Sequence, residues 1–347
     1  MASWTKIERP IEGGTIVSMQ APMIVSASRS TDIPAFYADW FFHRLQKGYS
    51  AWTNPFNGVK SYISYDQTRF IVFWSKNPRP LLPYLHILKE RNIRCYVQFT
   101  LNDYEEDKLE KVPPLANRIE TFRLLVEQLG KGSVIWRFDP MILTDRIVVD
   151  DLLKKFENIG DQLKGYTEKL VFSYADIAAY KKVKANLQSN GVNYHEWCEG
   201  EMVQFASALS SLNKKWNYVL ATCGEKINIE QFGIVHNKCV DDDLIIRLAY
   251  NDKILMDFLG ARIENVGFWV PENSFEVAPG VMAVKSKKNK DSGQRPFCGC
   301  ISSKDIGEYN TCPHQCEYCY ANASKNAALS NWRRHQDNPF SETITGV

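Results

Sequence analysis

Cys312-Pro-His-Gln-Cys316-Glu-Tyr-Cys319-Tyr-Ala-Asn322 is the stretch from which the fold and the chemistry of this chain are predicted. Its three cysteines are spaced four and three residues apart and lie among a proline, a histidine and two tyrosines. Such crowding is typical of metal ligands, because each thiolate needs a cation or a redox partner beside it. Three thiolates suit three irons of a cubane cluster and leave the fourth iron open to a small ligand. A fourth cysteine would close the coordination sphere.

The composition narrows the class of protein. The chain has 347 residues, 44% of them hydrophobic, so it can bury a large core. Its formal net charge of +2 does not support a nucleic-acid partner. The first ten residues lack a signal-peptide pattern and no apolar run reaches transmembrane length, which predicts a cytoplasmic protein with no membrane contact. In a reducing compartment, nine cysteines favour metal ligation over disulfides.

Upstream of the cysteine loop, apolar strand-like runs alternate with helical patterns. Strands are predicted at residues 23–28, 49–53, 69–74, 95–100, 133–136, 170–173 and 218–222. Helices are predicted at 35–47, 81–91, 115–129, 149–163, 195–212 and 321–334. The alternation predicts parallel β-α-β units of an α/β fold, and seven strands favour a TIM-like (β/α) barrel over an open sheet. An eighth strand, near residues 306–311, is expected to pair with the first and close the barrel.

The alternation breaks near Pro279. Residues 1–278 are therefore assigned to the barrel, and residues 279–347 to a cysteine-rich metal-binding segment that completes it. Residues 285–293 are charged and turn-rich, so they are predicted to form an exposed linker or a disordered loop.

Polar side chains gather where the predicted strands end, and a parallel barrel places its active site at those ends. The candidate catalytic residues are Arg29, Asp32, Lys76, Arg137 and Asp139. Pairs of these charges, Arg29 with Asp32 and Arg137 with Asp139, can clamp a carboxylate or a phosphate or position a substrate. The alternative is that they only tie loops together at the rim.

Two further strand-end residues, Asn77 and Gln98, are candidates for cofactor binding on the same argument.

Four other cysteines form a second candidate metal group: Cys223, Cys239, Cys298 and Cys300. Four thiolates can hold a second iron–sulfur cluster or a structural zinc ion. Cys298-Gly-Cys300 offers two ligands on one turn, and Cys223 follows a predicted strand. The alternative is that Cys223 and Cys239 are ordinary buried thiols. Cys95, in a predicted strand, and Cys198, in a predicted helix, are interpreted as packing residues.

The C-x3-C-x2-C loop followed by Tyr-Ala resembles the cluster loop of the radical S-adenosylmethionine (SAM) superfamily, in particular the branch that includes spore photoproduct lyase. The resemblance implies a [4Fe–4S] cluster on Cys312, Cys316 and Cys319 whose open iron binds SAM. One-electron cleavage of SAM then gives a 5′-deoxyadenosyl radical that abstracts hydrogen from a substrate. It further implies that Tyr318 packs near the adenine and that a flavodoxin or ferredoxin supplies the electron.

Two alternatives stand beside this interpretation of the loop. Cys312, Cys316 and Cys319 can instead form a zinc knuckle that borrows His314 or Cys300 as its fourth ligand. Tyr318 can be a plain core aromatic.

The chain departs from that superfamily in two respects. The cysteine loop normally follows the first barrel strand, whereas here it lies at the far end of the chain, so the resemblance implies a circularly permuted barrel. No Gly-Gly-Glu run is present to hold the methionine amino group.

Nearly the whole chain also resembles DUF1848, a family of uncharacterised bacterial proteins. The stretches that carry the resemblance are 28–37, 73–78, 98–100, 136–140 and 298–322. The family brings no established reaction. The sequence thus predicts a cytoplasmic radical SAM-like [4Fe–4S] enzyme with an unknown substrate. The alternative is a non-catalytic barrel that binds a partner and is stapled by zinc or iron–sulfur. Repair of a nucleic-acid lesion is a third reading, which depends only on the likeness to spore photoproduct lyase.

Overall fold

The computed structural model of this chain describes residues 4–54, 57–266, 271–295 and 297–346. Its strands are β1 Thr5–Pro10, β2 Ile16–Ala21, β3 Ile24–Ala27, β4 Tyr49–Thr53, β5 Lys60–Ser64, β6 Phe70–Ser75, β7 Arg94–Thr100, β8 Val134–Met141, β9 Leu143–Thr144, β10 Lys169–Tyr174, β11 Tyr194–His195, β12 Val219–Thr222, β13 Ile234–His236, β14 Ala261–Asn265, β15 Ser274–Ala278, β16 Val281–Lys285 and β17 Lys304–Asp305. Its α-helices are α1 Ile33–Phe36, α2 Ala38–Lys47, α3 Leu85–Glu90, α4 Leu115–Leu129, α5 Val149–Leu163, α6 Lys181–Ser189, α7 Glu199–Asn213, α8 Asp242–Ala249, α9 Lys253–Leu259 and α10 Lys325–Asp337.

An eight-stranded sheet forms the centre of this α/β fold. Its order is β13-β12-β10-β8-β7-β6-β3-β17, and every neighbouring pair is parallel. Six of the seven predicted strands lie in it, in the predicted order. The predicted pairing of a C-terminal strand with the first strand is confirmed, since Lys304 and Asp305 pair with Val25 and Ser26. That strand begins two residues before the predicted position.

The predictions of a seventh barrel strand and of a closed barrel are not confirmed. Residues 49–53 form β4, which lies in a separate sheet of order β1-β2-β5-β4. The reason is that β4 returns through a hairpin and pairs antiparallel with β5, whereas a parallel strand requires a crossover. The short β13 occupies a place in the parallel sheet instead. Within the described residues no pairing joins β13 to β17, so the sheet is open between them.

The two faces of the parallel sheet pack against different helices, because successive side chains of a strand point to opposite faces. Val25, Ile71, Val97, Trp136 and Phe172 belong to a core shared with helices α1 to α7. Their neighbours Ile24, Val72, Tyr96, Ile135 and Val171 belong to a second core shared with α8 and α9. Each such side chain contributes about 1.5–3 kcal/mol when it is fully buried.

Helix boundaries differ from prediction where prolines and caps intervene. The predicted helix 35–47 is two helices, since α1 is capped by Asp32, whose carboxylate accepts from the Ala35 N–H, and the chain bends at Tyr37. The predicted helix 81–91 begins as a 3₁₀ turn, Arg79–Tyr84, because Pro80 and Pro83 lack the N–H that a helix needs. The predicted helix 195–212 starts at residue 199, because β11 pairs with β9.

The segment predicted to be a linker is tied to the fold at its start. Lys285 is the last residue of β16 and pairs with Asp242 and Asp243 of α8, while residues 286–288 are exposed. The hairpin of β15 and β16 pairs across Pro279, where the sequence places a boundary. No helix in the described ranges has the length and apolar character needed to cross a bilayer.

Candidate metal centres

The first cysteine group lies on an irregular loop between β17 and α10, at the carboxyl edge of the parallel sheet. Hydrogen bonds hold this loop to elements near the other end of the chain. The Tyr37 hydroxyl donates to the Thr311 carbonyl at 2.6 Å, and the His314 Nε2 lies 2.8 Å from the Asp32 Oδ2. The Glu317 N–H donates to the carbonyl of residue 109 at 2.9 Å. The loop is therefore part of the folded core and not a tail.

The thiols of this group lie close enough to influence one another. Burial raises the pKa of the Cys316 thiol well above its ordinary value; the Lys76 ammonium opposes the shift, and the Cys312 and Cys319 sulfurs add to it. Burial, followed by the Asp32 carboxylate, raises the pKa of Cys312 to about 12. Buried thiols of this kind keep their protons unless a metal takes the place of the proton.

His314 does not have a nitrogen free to complete a zinc knuckle. Its Nδ1 lies 2.9 Å from the Lys111 carbonyl oxygen, and its Nε2 faces Asp32. Cys300, the other candidate for the fourth ligand, accepts a hydrogen bond from the Cys239 N–H at 3.2 Å. A four-ligand zinc site on the C-terminal loop therefore lacks its fourth ligand among the residues that the sequence offered.

The separation of the sulfurs also argues against a single metal ion. Zinc–sulfur bonds of about 2.3 Å in a tetrahedron require sulfurs about 3.8 Å apart. In the described part of the chain, one group of three or more His, Cys, Asp or Glu side chains has all its ligand atoms within 4.8 Å of one another. That group consists of Asp241, Asp242 and Asp243. Lys238 and Lys285 pair with Asp242 and Asp243, and Lys169 pairs with Asp241. Neither cysteine group is gathered as tightly as one zinc ion requires.

Tyr318, between two cysteines of the loop, is anchored in a buried polar network. Its hydroxyl donates to Glu110, and it accepts from the Lys76 Nζ at 2.8 Å and from the Asn102 Nδ2 at 3.1 Å. The Lys76 Nζ also lies 2.8 Å from the Glu110 Oε2, and Arg118 stands 3.7 Å from the same carboxylate. The network fixes the loop at the ends of β6 and β7. Glu110 was not predicted, because it lies in an irregular stretch with no motif.

The candidate catalytic residues separate into two sets. Asp32 accepts from the Lys76 N–H at 2.7 Å and faces His314, so Asp32 and Lys76 belong to the first cysteine group. Arg29, which the sequence groups with Asp32, belongs to the second set, since the charges acting on its guanidinium include those of Cys300 and Cys239. Arg137 does pair with Asp139, as predicted.

The two candidate cofactor residues on strand ends also differ. Gln98 is buried, donates to the Cys239 carbonyl at 2.8 Å and accepts from Arg137 at 3.3 Å, so it supports the second group. Asn77 is half-buried after β6, and its N–H donates to the Ser75 hydroxyl at 3.0 Å.

The second cysteine group is brought together as the sequence predicts. The Cys223 and Cys239 sulfurs lie 3.3 Å apart, and Cys300 follows next to Cys239. Cys298 and Cys300 are separated by one residue, and hydrogen bonding from Cys300 lowers the pKa of Cys298 to about 6. The four thiols therefore form a row: Cys223, Cys239, Cys300, Cys298. Hydrogen bonds from Cys223 and Cys300, and then the Arg137 guanidinium, hold the pKa of Cys239 well below its ordinary range.

Three arginines surround this row. The Arg137 Nη1 donates to the Cys239 sulfur at 3.2 Å. Although burial lowers it, the pKa of Arg29 is raised overall by neighbours that include Cys300, Cys239 and Cys298. Arg295 is affected in the same way by Cys223 and Cys298. The Arg29 Nη2 is buried and has no hydrogen-bond partner among the residues that the structure describes. The row thus has three guanidinium groups beside it, and the carboxylates of Asp139, Asp305 and Glu225 lie near the same arginines.

The remaining two cysteines have separate surroundings. Cys95 is buried in the core shared with the helices, as predicted, and burial raises its pKa to about 12. Cys198 is exposed before the first turn of α7, so the prediction that it is a packing residue is wrong. The periodicity that pointed to a helix there includes residues that precede its start.

Two shallow surface depressions lie away from both groups. They measure about 280 and 320 Å³ and border α9 and β14. Neither is lined by a cysteine.

Comparisons with known proteins give a family but no activity. The profile of a family described as "Domain of unknown function (DUF1848)" matches residues 24–321. No curated protein matches the chain. Among solved structures, a triazine hydrolase from Arthobacter aurescens is 8% identical, with a TM-score of 0.29, over 53% of this chain and 42% of its own. A protein from Bacteroides thetaiotaomicron proposed to be an alpha-L-fucosidase is 8% identical, with a TM-score of 0.23, over 55% of this chain and 84% of its own. Likenesses this weak carry no argument about function.

Proposed function

The chain belongs to the DUF1848 family, and we propose that it is an iron–sulfur enzyme that cleaves S-adenosylmethionine to abstract hydrogen from a substrate. The observation that carries the proposal is the arrangement of the C-terminal loop. Cys312, Cys316 and Cys319 influence one another at the carboxyl edge of a parallel sheet, and His314, the nearest other ligand, is engaged on both nitrogens. Three soft ligands without a fourth suit a cluster with one open iron.

The surroundings of the loop fit an anionic cluster. Lys76 lies beside Cys316, where its charge lowers the pKa of that thiol against the effect of burial. The Lys182 Nζ is buried, has no hydrogen-bond partner and responds to the charge of Cys319. These two ammonium groups would offset the negative charge that three thiolates bring to the loop.

Cys312, Cys316 and Cys319 would hold the cluster, and the chemistry that it would supply when bound is the one-electron reductive cleavage of SAM, with the electron coming from an external reductant. The role of this chain's own residues is to hold the cysteine loop in position and to shield it from solvent. Asp32 fixes His314 and the start of the loop, and Tyr318 fixes its end. Burial raises the pKa of Glu225, at the end of β12, to about 7, so this carboxyl group can hold a proton at the same edge at neutral pH.

The proposal treats the parallel sheet as a circularly permuted barrel of the radical SAM kind. The position of β17 beside β3 supports this reading, because it brings the C-terminal loop to the strand that the loop of that superfamily normally follows. A low-potential flavodoxin or ferredoxin would be the electron donor. The substrate is not assigned.

Anaerobic reconstitution tests the proposal. The C312A/C316A/C319A variant is expected to hold about four irons and four sulfides fewer than the wild type. The wild type, reduced by dithionite, should form 5′-deoxyadenosine and methionine from SAM in equal amounts, and the variant should form neither. C198S, which removes an exposed cysteine outside both groups, is the control and should behave as the wild type.

The opposite outcome is equally defined. Zinc that stays bound in air at the loop, with no iron, no sulfide and no cleavage of SAM, would favour a non-catalytic binding protein whose fold is stapled by the metal.

A further inference from the structure

We propose that Cys223, Cys239, Cys298 and Cys300 form a second iron–sulfur site, and that Arg29 and Arg137 raise the reduction potential of the cluster it holds. The proposal does not depend on SAM chemistry, since the two sites share no ligand. It concerns a part of the molecule that the C-terminal loop does not explain.

Three separate segments of the chain converge on the row of thiols. Cys223 follows β12, Cys239 follows β13, and Cys298 and Cys300 precede β17, so three segments deliver thiols to one row. Segment 237–241 lies on the face of the sheet that packs against α8 and α9, where the Tyr96 hydroxyl donates to the Cys239 carbonyl at 2.6 Å. Packing alone does not require four sulfurs at this place, because small apolar side chains would fill the same volume.

The spacing of the four thiols bears on the kind of metal centre that the row can hold. Neighbouring thiols of the row are in hydrogen-bond contact, yet no three of them gather within 4.8 Å in the described residues. A tetrahedral zinc ion needs all of its sulfurs about 3.8 Å apart, whereas a [2Fe–2S] cluster holds its thiolates in two pairs, which are close within a pair on one iron and farther apart between the two irons. The row fits a cluster better than a single ion.

The positive charges beside the row also suit an iron–sulfur cluster. A cluster held by four thiolates is anionic, and this row is flanked by the guanidinium groups of Arg29, Arg137 and Arg295. Arg29 and Arg137 also lie over the Trp74 ring, each 5.4 Å from its centroid. The buried Arg29 Nη2 has no hydrogen-bond partner among the described protein atoms. Neutral thiols would leave it in that state. An anionic cluster would supply one.

The effect on potential follows from the same charges. Reduction adds one negative charge to a cluster, and nearby fixed cations stabilise the reduced form more than the oxidised form. Arg137 cannot turn away, because Asp139 and Gln98 hold it. We therefore expect the second cluster to be reduced at a higher potential than it would be without these arginines.

Iron and acid-labile sulfide counts after anaerobic reconstitution test the site. The C312A/C316A/C319A variant should retain two or four irons with an equal amount of sulfide, and the number distinguishes a [2Fe–2S] from a [4Fe–4S] cluster. Removal of all four cysteines of the row in that background should abolish both. C198S is again the control.

Two results would overturn the site: no iron and sulfide in the C312A/C316A/C319A variant, or one zinc ion without sulfide. If that variant does not fold, the wild type decides the matter. More than four irons and four sulfides per chain support a second site, and four or fewer contradict it. Failure of SAM cleavage leaves these counts unaffected, so the two proposals fail separately.

A redox titration followed by electron paramagnetic resonance tests the role of the arginines. In the C312A/C316A/C319A background, R29Q should lower the ratio of reduced to oxidised cluster about tenfold at a fixed potential, which is 59 mV for a one-electron couple. R29K should restore much of the loss, and R91Q, at the exposed end of α3, should change nothing. An unchanged potential in R29Q would refute the assigned role.

Discussion

At the scale of single residues, Asp32 does the most to connect the two ends of the chain. Its carboxylate caps α1, accepts from the Lys76 N–H and faces the His314 ring. The side chain thus joins the first helix, the end of β6 and the cysteine loop. Hydrogen bonds to an ionised group are typically worth about 1.5–3 kcal/mol each, and a partner left unpaired in the interior costs a similar amount.

The D32N variant tests this connection. An amide can accept at its oxygen but cannot supply the negative charge, so we expect the cysteine loop to loosen while the sheet stays folded. Loss of unfolding free energy should be about 1–3 kcal/mol, and iron should leave the reconstituted protein faster under a chelator. The measurement is thermal unfolding together with the rate of iron release.

The control for D32N is D176N. Asp176 also follows a strand of the parallel sheet, but it is exposed and, within the described ranges, its side chain accepts from the Ala179 N–H alone. Equal rates of iron release in the two variants would show that Asp32 does not position the loop.

The sequence predicts which cysteines belong together but not which charges serve them. Cys298 and Cys300 lie together because C-x-C is a local pattern, whereas Cys223 and Cys239 belong to no such pattern and only the fold brings their sulfurs to 3.3 Å. The partner of Arg29 is different, because the turn after β3 directs Arg29 toward Cys300 and Asp32 toward His314. Residues 29 and 32 are close in sequence, and closeness does not fix the direction of a side chain. Glu110 carries no local signal at all.

At the scale of elements, β17 is held to β3 mainly by the hydrogen bonds of one side chain, because the strand itself is very short. It has two residues, and the Asp305 carboxylate accepts from the Ser28 hydroxyl at 2.6 Å, the Ser26 hydroxyl at 3.2 Å and the Arg29 N–H at 3.0 Å. A two-residue strand shows no alternation of apolar residues. This explains why the sequence predicted a strand in this region but placed it at 306–311.

Gly307, directly after β17, tests how closely this element must approach β3. A Cβ at this position would lie 2.0 Å from the Ser28 Oγ and 2.6 Å from the Ser28 Cβ. G307A should therefore push β17 away from β3 and lower the unfolding free energy by about 1–3 kcal/mol. Urea denaturation measures the change.

G200A is the matched substitution. Gly200 lies in the first turn of α7, and a Cβ there would meet only the Cys198 sulfur at 3.9 Å. Alanine is favoured over glycine in a helix by about 0.5–1 kcal/mol, so G200A should be neutral or stabilising. A G307A protein as stable as G200A would contradict the close packing of β17 on β3.

The sequence predicts the bounds of long helices with a clear hydrophobic period well. It does not predict the strands whose place in a sheet depends on how distant segments pair. Helices α4 and α5 have their predicted bounds, because fifteen residues display the helical period clearly. The run that forms β4 looks like any other buried strand, and only its hairpin with β5 removes it from the parallel sheet. Strand β13 has three residues and left no readable pattern.

At the scale of the whole molecule, the fold joins segments that are nearly three hundred residues apart. Ser28 bonds to Asp305 across 277 positions, and Asp32 meets His314 across 282. The C-terminal cysteine group reaches the carboxyl edge of the sheet as a result, whereas the second group comes from the segments that follow β12 and β13 and precede β17. A line of contacts also connects them, from Cys239 through Arg137 and Asp139 to Asn102 and Tyr318.

The most direct test of the central claim is the electron paramagnetic resonance spectrum of the dithionite-reduced, reconstituted protein with and without SAM. A variant that lacks Cys223, Cys239, Cys298 and Cys300 isolates the signal of the C-terminal loop. If three sulfurs leave one iron open, SAM must change that signal, and the change must be absent in C316A. A spectrum that SAM leaves unaltered, or a signal that survives removal of the loop cysteines in this variant, would contradict an open iron on Cys312, Cys316 and Cys319.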